Sequence, residues 1–184
     1  KHFCVHHQPI GDIGGATLGI AGKGDIGQAV GRLAQALGMQ VQYAERKGSE
    51  RVRDGYVSFE QMLATSDIIS LHCPLSDSTC QMIDREALSQ MKPQALLINT
   101  ARGGLINEAD LAAALKQGLI GGAALDVLSS EPPAPENPLL ADLPTLLLTP
   151  HIAWASRSGV ENLVAGVMTN IAAFIQGEPM NVVS

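Results

Sequence analysis

Six residues, Gly22-Lys23-Gly24-Asp25-Ile26-Gly27, constrain this chain more than any other stretch of it. They form a G-x-G-x-x-G loop with a short apolar run, Thr17 to Ala21, on one side and an amphipathic pattern on the other. Apolar residues recur at Ile26, Val30, Leu33, Ala34 and Leu37, the spacing of one helix face. A helix is therefore expected from Ile26 to Leu37, with Gly38 as its terminator. Between a strand and a helix, the first glycine makes a tight turn and the second lets the backbone approach a pyrophosphate. The third lets helix and strand pack closely. The helix start adds amide donors and the positive end of its dipole. The loop thus implies a dinucleotide site on Gly22, Gly24, Asp25, Ile26 and Gly27.

The rest of the chain repeats the same alternation. Short apolar runs that read as strands lie at Val41 to Ala44, Asp67 to Leu71, Ala95 to Asn99, Ala123 to Asp126 and Leu146 to Leu148. Helical patterns lie between or after them at Phe59 to Ala64, Arg85 to Gln90, Glu108 to Gln117 and Ser158 to Gln176. Alternating strands and helices build βαβ units, and nearly unbroken apolar strands are those covered on both faces. The expected fold is α/β: a Rossmann-type, doubly wound parallel sheet of about six or seven strands with a long C-terminal helix. The stretch from Glu131 to Pro144, with Pro132, Pro133, Pro135, Pro138 and Pro144, reads as a surface loop.

Composition removes several classes of function. The chain has 184 residues, 46% of them hydrophobic and 16% charged, enough apolar material for a core. Its net charge of -6, without a Lys/Arg cluster, argues against nucleic-acid and membrane-surface partners. No apolar stretch is expected to approach the roughly 18 residues of a spanning helix. Lys1-His2-Phe3-Cys4 does not read as a signal peptide. Cys4, Cys73 and Cys80 are an odd set without a CxxC pair, which points to a reducing cytoplasm and to neither a disulfide frame nor a metal site.

Ligands of open α/β sheets sit beyond the carboxyl ends of the strands. Glu45 follows the second strand, where an acid accepts hydrogen bonds from the adenosine ribose and repels a 2′-phosphate; Arg46 and Lys47 beside it would act oppositely. On balance NAD is expected over NADP. Arg102 follows the fourth strand in Asn99-Thr100-Ala101-Arg102-Gly103-Gly104, Glu131 lies past the fifth, and His151 follows the sixth. An arginine fork holds a carboxylate in two parallel bonds, and a histidine is an acid–base group that a carboxylate can orient. Each residue taken alone also fits a loop charge or a cap. Together beside a nicotinamide they make a 2-oxo-acid reductase.

With those residues identified, the chain resembles the D-isomer-specific 2-hydroxyacid dehydrogenase family, in its nucleotide-binding domain, from about Gly14 onward. The matching segments are Leu18 to Gly27, Leu71-His72-Cys73-Pro74-Leu75, Leu97 to Gly104, Ala124-Leu125-Asp126-Val127 and Thr149-Pro150-His151. The resemblance implies Arg102 as the substrate-binding residue, Glu131 and His151 as an acid–histidine pair, and Asp126 near the nicotinamide carboxamide. It places Thr100, Ala101, Cys73 and Pro74 along the cofactor. Ala44 to Gly48 and His151 to Ser156 are most similar to glycerate dehydrogenases, also called hydroxypyruvate reductases. In that setting Trp154 is a substrate-side contact or a packing aromatic.

The resemblance further implies a small 2-oxo or 2-hydroxy acid substrate, a homodimer and a cytoplasmic location. Family members begin with a separate substrate domain, which the resemblance leads one to expect is absent from this sequence. Residues 1–13 are expected to be the connection to it, 14–156 the NAD-binding domain, and 157–184 a helix and tail that return toward it. A non-catalytic NAD-sensing module of the corepressor kind shares the same motifs and is the alternative.

Overall fold

A computed structural model describes residues 11–182. Residues 1–10, which include Cys4 and most of the expected connecting segment, and residues 183 and 184 lie outside the described part. The chain divides into two compact units, one ending at Thr149 and the other beginning at Pro150.

The first unit is a parallel sheet of six strands: β1 (Thr17–Ala21), β2 (Gln40–Ala44), β3 (Ile68–Leu71), β4 (Leu96–Asn99), β5 (Gly122–Leu125) and β6 (Leu146–Leu148). Their order is β2-β1-β3-β4-β5-β6. The chain adds β2 on one side of β1 and β3 on the other, so the crevice of a doubly wound sheet opens between β1 and β3. Because every pair is parallel, all carboxyl ends share one edge of the sheet.

Helices α1 (Asp25–Ala36), α2 (Phe59–Thr65), α3 (Arg85–Gln90) and α4 (Glu108–Lys116) join these strands. Of the apolar stripe expected on α1, Val30 and Ala34 pack against Leu18, Ile20, Val41 and Tyr43, whereas Ile26, Leu33 and Leu37 are exposed. The larger core gathers Phe59, Met62 and Leu63 of α2, Leu88 of α3 and Leu111 of α4 with Ile69, Leu71 and Leu97 of the sheet. The expectation of two covered faces fails at β4 and β6, where Leu96 and Leu147 are exposed.

Strand and helix limits move by a residue or two from the expected ones, and Asp67 shows why. It precedes β3, and its carboxylate binds the Thr17 amide at 2.8 Å and Lys92 Nζ at 2.8 Å. Asp67 therefore fastens the start of β1 from outside the ladder.

The second unit holds α5 (Arg157–Ile175). Contrary to the expectation from sequence, α5 is long and apolar enough to cross a membrane by length and composition, with a mean hydropathy of 1.3. Its Ala, Val and Ile content raises the mean, while Glu161, Asn162, Thr169 and Asn170 interrupt any unbroken apolar run.

Candidate functional site

Among the described residues, four of the five α-helices begin with a side-chain cap: Ser58, Asp84, Asn107 and Ser156 each accept a first-turn amide. Helix α1 begins at Gly24 without one. Its first amides can therefore serve a ligand at the crevice between β1 and β3. The loop glycines divide the work. Gly22 has φ +107°, and a Cβ there would come within 2.6 Å of the His72 backbone. At Gly27 a Cβ would lie 2.0 Å from the Gly22 carbonyl oxygen. At Gly24 it would meet nothing within 4 Å, so the protein's own packing does not require that glycine. A group that approached the backbone closely, such as a pyrophosphate, would require it.

A groove of about 270 Å³ runs from Gly22 and Gly24 past Glu45 and Arg46 to Cys73 and Pro74. Lys23 lies over the rings of Tyr43 and Tyr56, at 4.6 and 4.9 Å from their centroids. Glu45 is buried and grips the Arg53 guanidinium, Oε2 to Nε at 2.6 Å and Oε1 to Nη2 at 2.8 Å. Arg53 lowers the Glu45 pKa from 4.5 to about 2, against the opposing effect of burial; the Arg46 and Arg53 amides help. Arg53 was not evident from the sequence, because nothing in the local pattern marks a residue eight positions past Glu45 as its partner.

Cys73 is half-buried, its Sγ 3.8 Å from Met82 Sδ, and burial raises its thiol pKa. That disfavours a nucleophilic role. Burial lowers the pKa of His72, whose Nε2 lies 2.9 Å from Ser70 Oγ.

A second groove, of about 590 Å³, shares Cys73 and Pro74 with the first and adds Ile26, Thr100, Ala101 and Arg102. Its shape rests on Asn99, fully buried at the end of β4. Asn99 Nδ2 donates to the Arg102 carbonyl at 2.9 Å, and its Oδ1 accepts the Ala101 amide at 3.0 Å. That two-sided clamp makes the turn presenting the exposed Arg102. Gly103 is needed behind it, since a Cβ would fall 1.9 Å from the Leu128 carbonyl carbon.

Asp126 is buried and accepts the Thr149 hydroxyl. Glu131 Oε1 accepts the Leu128 amide at 2.9 Å. Glu108, which reads in sequence as a first-turn helix acid, organises this loop: it accepts the Ser129 amide at 2.6 Å and Asn137 Nδ2 at 2.7 Å. In the second unit, His151 has φ 55°. The Trp154 indole donates to the His151 carbonyl at 3.0 Å, and Ser156, not His151, caps α5. The first unit thus gathers Gly22, Gly24, Ile26, Glu45, Arg46, Cys73, Pro74, Thr100, Ala101 and Arg102 along two adjoining grooves. Asp25 sits in the first turn of α1, Asp126 and Glu131 lie past β5, and His151 belongs to the second unit.

Among the described residues no group of histidine, cysteine and acidic side chains could hold a metal ion. Residues 4–153 match the model of the D-isomer specific 2-hydroxyacid dehydrogenase NAD binding domain. The chain is 48% identical to a glycerate dehydrogenase of Methylorubrum extorquens, over 100% of this chain and 57% of that protein. It is 40% identical to a hydroxypyruvate reductase of Blautia hydrogenotrophica, over 99% of this chain and 57% of that one. Among solved structures it superposes, with a TM-score of 0.83 and 33% identity, on the NAD complex of a D-isomer specific 2-hydroxyacid dehydrogenase from Lactobacillus delbrueckii ssp. bulgaricus. That match covers 94% of this chain and 58% of the other. The chain therefore spans a little over half the length of these relatives.

Proposed function

From the premise that the chain belongs to the D-isomer-specific 2-hydroxyacid dehydrogenase family, as its NAD-binding domain, we propose that it serves an NADH-dependent reductase of a small 2-oxo acid. Hydroxypyruvate and glyoxylate are the candidate substrates. The observation that carries this reading is the groove that joins Ile26, at the uncapped start of α1, to Arg102. On this reading the cofactor and substrate ends of the site meet at one edge of the sheet.

The residues for NADH are the amides of Gly24 to Gly27 for its pyrophosphate and the Glu45 corner for its adenosine half. Thr100, Ala101 and Asp126 serve the nicotinamide end. When bound, NADH supplies the hydride to the substrate's carbonyl carbon. Arg102, a rigid planar donor fork, binds the substrate carboxylate and polarises the neighbouring carbonyl. His151 delivers a proton to the carbonyl oxygen, and Glu131 orients its ring and stabilises the imidazolium. The product is the D-2-hydroxy acid.

On the same premise residues 1–13 connect to a substrate domain, 14–156 bind the cofactor and 157–184 run back toward that domain. The enzyme is a cytoplasmic homodimer. The test is NADH consumption, followed by absorbance, with hydroxypyruvate and with glyoxylate, in a protein carrying the substrate domain. Turnover of either supports the reading; tight NADH binding without turnover of either refutes it.

A further inference from the structure

Two neighbouring amides past β5 go to two different carboxylates. The Leu128 amide donates to Glu131 Oε1 at 2.9 Å, and the Ser129 amide donates to Glu108 Oε1 at 2.6 Å. Glu131 belongs to the same loop as its donor. Glu108 comes from another element, the first turn of α4. Its neighbour anchors that turn: Asn107 caps α4 through the Asp110 amide at 3.0 Å, and the Asn107 amide donates to the Ile83 carbonyl at 2.9 Å. A side chain carried by a fixed helix start holds a loop more closely than the loop holds itself.

The second Glu108 oxygen reaches the other end of the loop, where Oε2 accepts Asn137 Nδ2 at 2.7 Å. Asn137 is itself fixed in orientation, because its Oδ1 accepts the Leu139 amide at 2.9 Å and caps the 3-10 turn Pro138–Leu140. Leu139 anchors that turn in the core. One carboxylate therefore ties Ser129 and Asn137 to α4, and Glu131 lies between them. The Leu128–Ser129 peptide also packs against Gly103, where a Cβ would fall 1.9 Å from the Leu128 carbonyl carbon and 2.3 Å from the Ser129 nitrogen. Gly103 directly follows Arg102. A single peptide thus touches the turn that presents Arg102, is gripped by Glu108, and adjoins the amide that binds Glu131.

We propose that Glu108 is a positioning residue for Glu131: by holding the Leu128–Ser129 peptide against the Arg102 turn, it sets where the Glu131 carboxylate stands relative to Arg102. The inference rests on the proposed role of Glu131 in the reductase. Glu108 touches neither substrate nor cofactor in it and acts through the loop alone.

The test exchanges the carboxylate and the amide. Glu108→Gln puts an N–H group where one of the two donors now finds an oxygen. Asn137→Asp sets two carboxylates against each other. The two changes together restore every bond: the new amide donates to the new carboxylate, which still caps the Leu139 amide, and the glutamine oxygen accepts the Ser129 amide. The variants are compared in a protein carrying the substrate domain, at a temperature where thermal unfolding shows all of them folded. Each single change should lower kcat for hydroxypyruvate or glyoxylate by about ten- to a hundredfold, the worth of a misplaced group. KM for the 2-oxo acid and Kd for NADH should stay within about threefold, since Asn99 clamps the Arg102 turn separately and the glycine loop is untouched. The double variant should regain kcat to within about threefold of the unaltered protein. The Ser129 amide should exchange its hydrogen about tenfold faster in Glu108→Gln and return to its original rate in the double variant. A fall in Tm with kcat unaltered makes Glu108 merely structural and overturns the inference. So does a double variant no better than the poorer single one, or a Ser129 exchange rate that Glu108→Gln leaves unmoved. A loss of kcat in Glu131→Gln without one in Glu108→Gln overturns the inference and leaves the proposed function standing. Full kcat in Glu131→Gln, or no turnover in the unaltered protein, refutes that reading and this inference with it.

Discussion

Replacing Gly24 and Gly27 in turn by alanine separates a glycine kept for a ligand from one kept for the fold. Gly24 has φ −79° and ψ −171°, a conformation open to alanine, and its added Cβ meets no protein atom within 4 Å. Alanine caps a helix less well than glycine, by up to about 1 kcal/mol. For a chain of this size that lowers Tm by at most about 4 °C. Gly27 differs. Its Cβ would sit 2.0 Å from the Gly22 carbonyl oxygen, more than 1 Å inside an ordinary contact, and both partners are backbone. Overpacking of that kind costs about 1–3 kcal/mol or more, a fall in Tm of roughly 2–12 °C or above.

Affinity should rank the two by a different cause. A Cβ on Gly24 projects about 1.5 Å into the space through which a pyrophosphate reaches the first amides of α1. Loss of one charge-assisted hydrogen bond there costs about 1.5–3 kcal/mol, a rise in NADH Kd of about ten- to a hundredfold. The assay pairs thermal unfolding with titration of NADH for Gly24→Ala, Gly27→Ala and the unaltered chain. If Gly24→Ala keeps NADH affinity within about threefold, the uncapped helix start is not where the pyrophosphate lies. If it destabilises the chain as much as Gly27→Ala does, Gly24 serves packing and the argument from its open surroundings is wrong.

Three further outcomes follow from the same geometry. His151→Ala, in a protein with its substrate domain, should lower kcat by about a hundred- to ten-thousand-fold while NADH affinity stays close to normal; an unaltered kcat removes His151 from the proton transfer. Asn99→Leu should cost about 2–4 kcal/mol in urea unfolding, because it strips partners from the Ala101 amide and the Arg102 carbonyl; a loss below about 1 kcal/mol would show that the turn holds itself. Glu45 is ionised more readily in the folded chain than in the unfolded one, so its stabilising effect is complete above its ordinary value. It should fade as pH falls from 4.5 to about 2. Urea midpoints across that window should fall less steeply in Glu45→Gln than in the unaltered chain; parallel slopes would mean the Arg53 pair contributes nothing to acid sensitivity.

The parts of this molecule legible in its sequence are those whose cause is local. Apolar runs gave the strands, the 3.6-residue stripe gave α1, and the glycine spacing located the turn between them. Arg85–Gln90 and Leu146–Leu148 fall where the pattern alone put them, because Asp84 caps the one and Pro144 and Pro150 flank the other. What sequence hid depends on partners brought together by the fold. Asp67 reads as part of a strand, yet its carboxylate serves the amide of Thr17, fifty residues earlier. Glu108 reads as a helix-dipole acid, yet it holds the loop at Ser129 and Asn137. Leu96 and Leu147 read as doubly covered, and only the helix arrangement shows that they are not.

Arg53 is the sharpest case. An acid at the end of the second strand is interpreted from sequence as a free acceptor, because its spacing from the glycine loop is visible and its neighbours in space are not. The loop after β2 carries Arg46, Arg51 and Arg53 within eight residues of Glu45, and only its path decides which of them meets the carboxylate. The fold selects Arg53, through two short charge-assisted bonds, and so gives the carboxylate a partner that its place in the sequence does not reveal. The spacing of an acid from a glycine loop is therefore legible in sequence, and the partner that holds its carboxylate is not.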